Sequence, residues 1–379
     1  MSHEAVLKNS NFSPHYSSAL SIRRSMWTMN GLLTILLIWG TLIYGPRALG
    51  IVALSVLSAF IAEFLVLTLR SAPTLRPAPT STPNKTALSD GSAVLCGLMF
   101  GLTLPPTVHW LAAVIGPVFA IIVVKWGLGG LGINLLNPAL AGRLFVQLSW
   151  PEMFWVHNWG KSLLPEAGWN VDAVSGPSVL TQMKTFLIEN RSGYIFRPLE
   201  IVDKDSSIVD TFLTNVLNEG ILIPNGIILS EGYIDYFFGF RYGAIGEVSI
   251  VLILFISILL FARGIISWHI PLGGFIGMST LSFIFSGTFW GANFFSGDIL
   301  FALFSGGFMF TLMFMATDPV TSPYTRNGKF IFGLGFGALA FALRDISIEA
   351  DASTTALLIM NMLCPLINII ARKKPLKMH

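Results

Sequence analysis

The chain has 379 residues, 53% of them hydrophobic and only 11% charged, with a formal net charge of +3. A soluble domain carries about 25% charged residues, and mean hydropathy here is +0.70, so an ordinary water-soluble globule is excluded. No basic block and no interleaving of basic with aromatic residues marks a nucleic-acid surface.

Apolar runs of about 20 residues, enough to cross a hydrocarbon core, recur along the sequence. Residues 1–26 are polar, contain Arg23 and Arg24, and lead into the first run without a small-residue cleavage site, so no secretory signal is expected. Spans are predicted at about 27–44, 48–69, 91–104, 108–124 and 135–148. The third is short and closed by Pro105-Pro106, and the fourth ends at Lys125. Between 150 and 241 the composition turns acidic, with Asp172, Glu189, Asp203, Asp205, Asp210, Glu219 and Asp235. A stretch of this length is too long for an idle connection. Spans resume at about 244–262, 265–285, 299–316, 330–343 and 355–370, and residues 372–379 form a basic tail.

The expected fold is therefore an all-α polytopic membrane protein. It has a first five-helix half at 27–149, an outer segment at 150–241 and a second half at 242–371. The basic N-terminal segment, the 70–85 loop, Arg263, the loop of Arg326 and Lys329, and the tail fall on one side, which the positive-inside rule makes cytoplasmic. Arg47 and Arg344 are exceptions. An odd number of spans per half inverts the second half relative to the first.

A doubled motif supports that division. Leu98-Met99-Phe100-Gly101-Leu102-Thr103-Leu104-Pro105-Pro106-Thr107 matches Leu312-Met313-Phe314-Met315-Ala316-Thr317-Asp318-Pro319-Val320-Thr321 at six of ten places. Each copy sets Pro just after an apolar run, where it ends or kinks a helix. Interrupted apolar segments at matching places in two halves point to a binding region near the repeat interface.

Ionisable residues inside spans are functional suspects. Glu63 lies in the second span, Glu247 starts the sixth and Asp318 closes the eighth. Carboxylates suit Na⁺ or H⁺, so the three mark a candidate ion pathway. Asp318 is the first choice and Glu247 is the one read as a helix anchor. His109 and His269, near span ends, are read as structural. Cys96 and Cys364 sit inside apolar runs and cannot ligate a four-thiolate cluster alone. The run Gly127-Leu128-Gly129-Gly130-Leu131-Gly132 matches a dinucleotide fingerprint in letters only, because an apolar span precedes it instead of a strand. Asn134 and Asn137-Pro138 are expected to cap or break the fifth span.

In the outer segment, Asp172-Ala173-Val174-Ser175-Gly176-Pro177-Ser178 reads as a tight polar turn that presents the Ser178 hydroxyl. The string resembles the flavinylation motif Asp-x-x-(Ser/Thr)-Gly-Ala-(Thr/Ser). More widely, Ser13-Pro14-His15, residues 97–106, the Gly129–Asn134 and Asn137-Pro138-Ala139 strings, Gly246-Glu247, residues 265–268 and residues 316–323 resemble the RnfD/NqrB family. That family comprises the membrane D subunits of Rnf electron-transport complexes and the B subunits of sodium-pumping NADH:quinone reductases.

The resemblance implies a urea-transporter-like fold and FMN joined through its phosphate to Ser178. Asp172, Ser175 and Gly176 would form the motif that a flavin transferase reads. It implies riboflavin as a second flavin, and a role in coupling ferredoxin and NAD oxidoreduction to Na⁺ or H⁺ transport across a prokaryotic cytoplasmic membrane. Implied partners are a second outer flavoprotein, two small iron–sulfur-holding membrane subunits, and cytoplasmic subunits that meet NADH and ferredoxin. The chain departs from the motif at Pro177, where Ala is usual, and at Ser178, where Thr is usual. Serine offers the same nucleophilic oxygen, and activation falls to the transferase. Other readings are the quinone-reductase B subunit, a urea-transporter-like solute channel, and a scaffold subunit without flavin.

Overall fold

A computed structural model describes residues 22–70, 88–127, 129–130, 134–154, 208–225, 233–239, 243–287, 294–346 and 352–371. The described residues are helical, with turns and short extended links between helices. In chain order they form α1 (Ile22–Tyr44), α2 (Pro46–Arg70), α3 (Ser92–Leu102), α4 (Trp110–Phe119) and α5 (Pro138–Ser149). Then come α6 (Ile208–Leu217), α7 (Tyr233–Phe238), α8 (Ile250–Ala262), α9 (His269–Leu281), α10 (Ile299–Phe304), α11 (Arg326–Ile346) and α12 (Ala352–Ile370). Each predicted span meets a helical segment. The ninth begins earlier than predicted, at Arg326, and the sixth later, at Ile250.

Among the described residues, four helices are long and apolar enough to cross a membrane: Arg23–Tyr44, Pro46–Leu69, His269–Ser286 and Ala352–Ile370. They do not bury their apolar surface within the chain. Ile38, Leu42, Leu57, Phe64 and Leu65 on α1 and α2 all stand exposed. A helix apolar all round that is covered on only one side needs lipid or a partner on the other. The chain is a membrane protein.

Local chemistry sets the helix starts. Asn137 Oδ1 accepts from the Ala139 N–H at 3.1 Å, with Pro138 at the first helical position of α5. This is the cap expected from the sequence. His109 Nδ1 accepts from the Leu111 N–H at 3.3 Å, a structural role for that histidine. Among the described residues four segments widen into π-helical turns. Ala120–Trp126 continues α4, Asn218–Leu222 continues α6, Ser282–Ser286 continues α9, and Thr311–Met315 follows a short turn at Phe308–Phe310.

The helices approach backbone to backbone through paired glycines. On α9 and α11, Gly273 and Gly277 face Gly333 and Gly337. A methyl added at Gly333 would meet Ile270 O at 2.1 Å, and one at Gly277 would meet Leu334 O at 2.5 Å. In the first half Gly97 and Gly101 of α3 lie on α2, where added methyls would meet Ser55 O at 2.7 Å and Val52 Cα at 3.0 Å. Where lipid removes the hydrophobic drive between helices, close packing of small residues replaces it. Gly333→Ala is expected to destabilise the chain by about 3 kcal/mol, the upper end of overpacking. Gly31→Ala, with nothing within 4 Å of the new methyl, should stabilise by up to ~1 kcal/mol through helix propensity. Thermal unfolding in detergent separates the two.

Candidate functional site

The two copies of the doubled motif are both interrupted helices. In the first, α3 ends at Leu102, and buried Thr103 donates its hydroxyl to Phe100 O at 2.7 Å. In the second, Thr317 at the matching place is also buried and donates to Met313 O at 2.7 Å. The carbonyls freed at the first break are taken by the second half of the chain. Gly246 N–H donates to Leu102 O at 2.7 Å and Ile245 N–H to Leu104 O at 3.0 Å. Glycine is required at 246, since a methyl there would meet Leu102 Cβ at 2.7 Å.

Glu63 does not stand as an open carboxylate. Lys125, in the π-helical turn after α4, donates to Glu63 Oε1 at 2.6 Å and Oε2 at 2.8 Å, and to Ser92 Oγ at 2.7 Å. Ser92 in turn donates to Asp90 Oδ1 at 2.7 Å. Glu63 and Lys125 are 1% and 2% exposed, so the pair sits wholly inside the protein. Removing one partner alone strands the other charge, at a cost of about 3–5 kcal/mol. Glu63 is thus a paired carboxylate.

Asp318 closes the second break. Its Oδ1 accepts from the Val320 N–H at 3.2 Å and its Oδ2 from the Thr321 hydroxyl at 3.4 Å, turning the chain after the π-helical segment. Glu247 is placed differently. It lies in the turn before α8, and its Oε1 stands 4.0 Å from Nη1 of buried Arg143 on α5. That contact ties the second half to the first.

The two topological exceptions have structural work. Arg47 donates to Thr107 O at 3.3 Å and Val108 O at 3.1 Å, just past the Pro-Pro break. Buried Arg344 donates to Ala302 O at 2.6 Å, Ser305 Oγ at 3.1 Å and Ser305 O at 2.9 Å. Sequence reasoning missed Lys125, Arg143 and these roles for Arg47 and Arg344.

A groove of about 690 Å³ between α1, α2 and α3, lined by Trp27, Asn30, Thr34, Phe60 and Leu98 among others, carries no ionisable side chain. Among the described residues no three His, Cys, Asp or Glu side chains converge on a metal position. Asp172, Ser175, Gly176 and Ser178 lie outside the described residues.

The profile of the NQR2, RnfD, RnfE family matches residues 9–377. The D subunit of the proton-translocating ferredoxin:NAD(+) oxidoreductase complex of Clostridium ljungdahlii is 31% identical over 369 residues, 96% of each chain. The D subunit of the ion-translocating oxidoreductase complex of Stutzerimonas stutzeri is 31% identical, over 89% of this chain and 86% of that one. The D subunit of the Na(+)-translocating ferredoxin:NAD(+) oxidoreductase complex of Acetobacterium woodii is 29% identical, over 88% and 83%. The chain belongs to the NQR2, RnfD, RnfE family.

Proposed function

We propose that this chain is the flavin-carrying D subunit of a membrane complex that couples ferredoxin:NAD oxidoreduction to movement of Na⁺ or H⁺. The observation that carries the reading is its end-to-end similarity to D subunits of such complexes. The chain works within the assembly, beside a second outer flavoprotein, two small iron–sulfur-holding membrane subunits and the cytoplasmic subunits for NADH and ferredoxin.

In this reading ten spans form two inverted five-helix halves in a prokaryotic cytoplasmic membrane, with 150–241 outside. The paired breaks, with Thr103 donating three residues back and Thr317 four residues back along the preceding turn, support the repeat. FMN is held as a phosphoester on Ser178, within the motif of Asp172, Ser175 and Gly176, and riboflavin is the second flavin. Flavin supplies the electron chemistry, while the protein sets its position and surroundings. Asp318 is the first choice of ion-pathway carboxylate, with Glu63 and Glu247 as the further candidates.

Two measurements test the reading. On a denaturing gel the wild-type band should fluoresce as flavin, Ser178→Ala should be dark, and Ser178→Thr should retain the signal. A fluorescent Ser178→Ala band removes FMN from this position. In proteoliposomes of the whole complex, Asp318→Asn should lower redox-driven ion uptake about tenfold, the factor that a loss of about 1.4 kcal/mol of ion binding gives. It should leave the flavin band unchanged. Undiminished uptake removes Asp318 from the pathway.

A further inference from the structure

Three oxygens surround the Lys125 ammonium at 2.6–2.8 Å: both carboxylate oxygens of Glu63 and the hydroxyl of Ser92. The Ser92 hydroxyl gives its single proton to Asp90, which turns its lone pairs toward the ammonium. The set is therefore all acceptor, all oxygen and closed to solvent. Hard oxygen donors of this kind suit an alkali cation, and an ammonium matches such a cation in charge and nearly in radius.

We propose that Glu63 and Ser92 form a site for a free monovalent alkali cation, and that Lys125 is a tethered cation that fills it in this structure. The proposal rests on reading the buried carboxylates as part of an ion pathway.

The swap conserves charge. With Lys125 in place the cage holds −1 and +1. With Lys125 withdrawn and an alkali ion bound, it holds the same. Glu63 is therefore paired in both end states, while the withdrawn Lys125 ammonium has to be paired or hydrated elsewhere. Lys125 is suited to the exchange. It is a flexible four-carbon stem with a point charge, one residue from the end of a π-helical turn that leads into Gly127. Such turns are rare and frequently lie at functional sites. Ser92 is the first residue of α3, so occupancy of the cage bears directly on the start of the broken helix. Arg344 engages the other broken segment through Ala302 O and Ser305. An arginine fork holding carbonyls is a fastening, whereas an ammonium among carboxylate oxygens is an exchangeable occupant.

The test is thermal unfolding of the full-length chain in detergent, in NaCl, KCl or choline chloride at equal ionic strength. Lys125→Met vacates the cage. It should show a saturable rise in midpoint of at least about 4 °C in one or both alkali salts over choline. The wild type and the double variant Lys125→Met/Glu63→Gln should show none. The salt that gives the rise identifies the ion that the cage accepts. Lys125→Gln, which keeps a donor toward Glu63, takes the same test where Lys125→Met does not fold.

A folded single variant with equal midpoints in all three salts overturns the proposal. So does a rise that persists with Glu63→Gln, an equal rise in the wild type, or failure of both single variants to fold in any salt. Because the readout is equilibrium binding, failure here leaves coupled ion uptake by the complex untouched. Loss of the Asp318 result likewise leaves this one standing.

Discussion

A helix that stops within a hydrocarbon layer leaves its last carbonyls without water to take them. The described structure is arranged around two such stops, after Leu102 and after Met315. At the first, the chain supplies donors from far away in sequence: Ile245 and Gly246 donate to Leu104 O and Leu102 O. Each such carbonyl left alone would cost several kcal/mol. The two halves are thus joined at the interruption itself, and separation there would orphan the backbone of both.

Cations serve the same constraint. Arg47 holds the carbonyls of Thr107 and Val108, Arg344 those of Ala302 and Ser305, and Lys125 reaches the Ser92 hydroxyl at the head of α3. Lys125 and Arg344 occupy similar places. Each lies in the last turn of the long helical segment that follows a broken one, and each reaches back to that broken segment. Charges that are expensive inside a membrane are retained where irregular backbone needs donors. The same logic explains why positive charge at 47 and 344 breaks the loop-charge rule: these side chains are turned inward and do not report sidedness.

The apolar segments were legible because hydropathy is a property of consecutive residues. The breaks were legible because Pro105 and Pro319 act on their own neighbours. The Asn137 cap followed from local chemistry in the same way. Partnerships between distant residues were not readable by such means. Glu63 and Lys125 are 62 positions apart, and only the packing of α2, α3 and the turn after α4 decides that they meet. The glycines at 273, 277, 333 and 337 carried a readable four-residue spacing, yet which helices they join depends on the same packing. The Ser178 motif remains a sequence argument, since it lies outside the described residues.

The two copies of the doubled motif differ most at their seventh place, Leu104 against Asp318. Leu104 is fully buried, and its carbonyl is taken by the opposite half. Asp318 bends back on its own turn, to a backbone N–H and a threonine hydroxyl. These are neutral donors, and the ion pairs found among the described residues involve Glu63 and Glu247 instead. Of these carboxylates, Glu63 carries a built-in countercharge and Asp318 is held by dipoles. A carboxylate held that way inside a membrane is satisfied either by a proton or by a cation brought to it. Both serve the same electrostatic end, which fits relatives of comparable similarity that bear the name of a proton translocase in one case and a sodium translocase in the other. On the proposed reading, ion choice rests on the oxygens that surround the acid, and the asymmetry between Leu104 and Asp318 sets a carboxylate at one of two matched breaks.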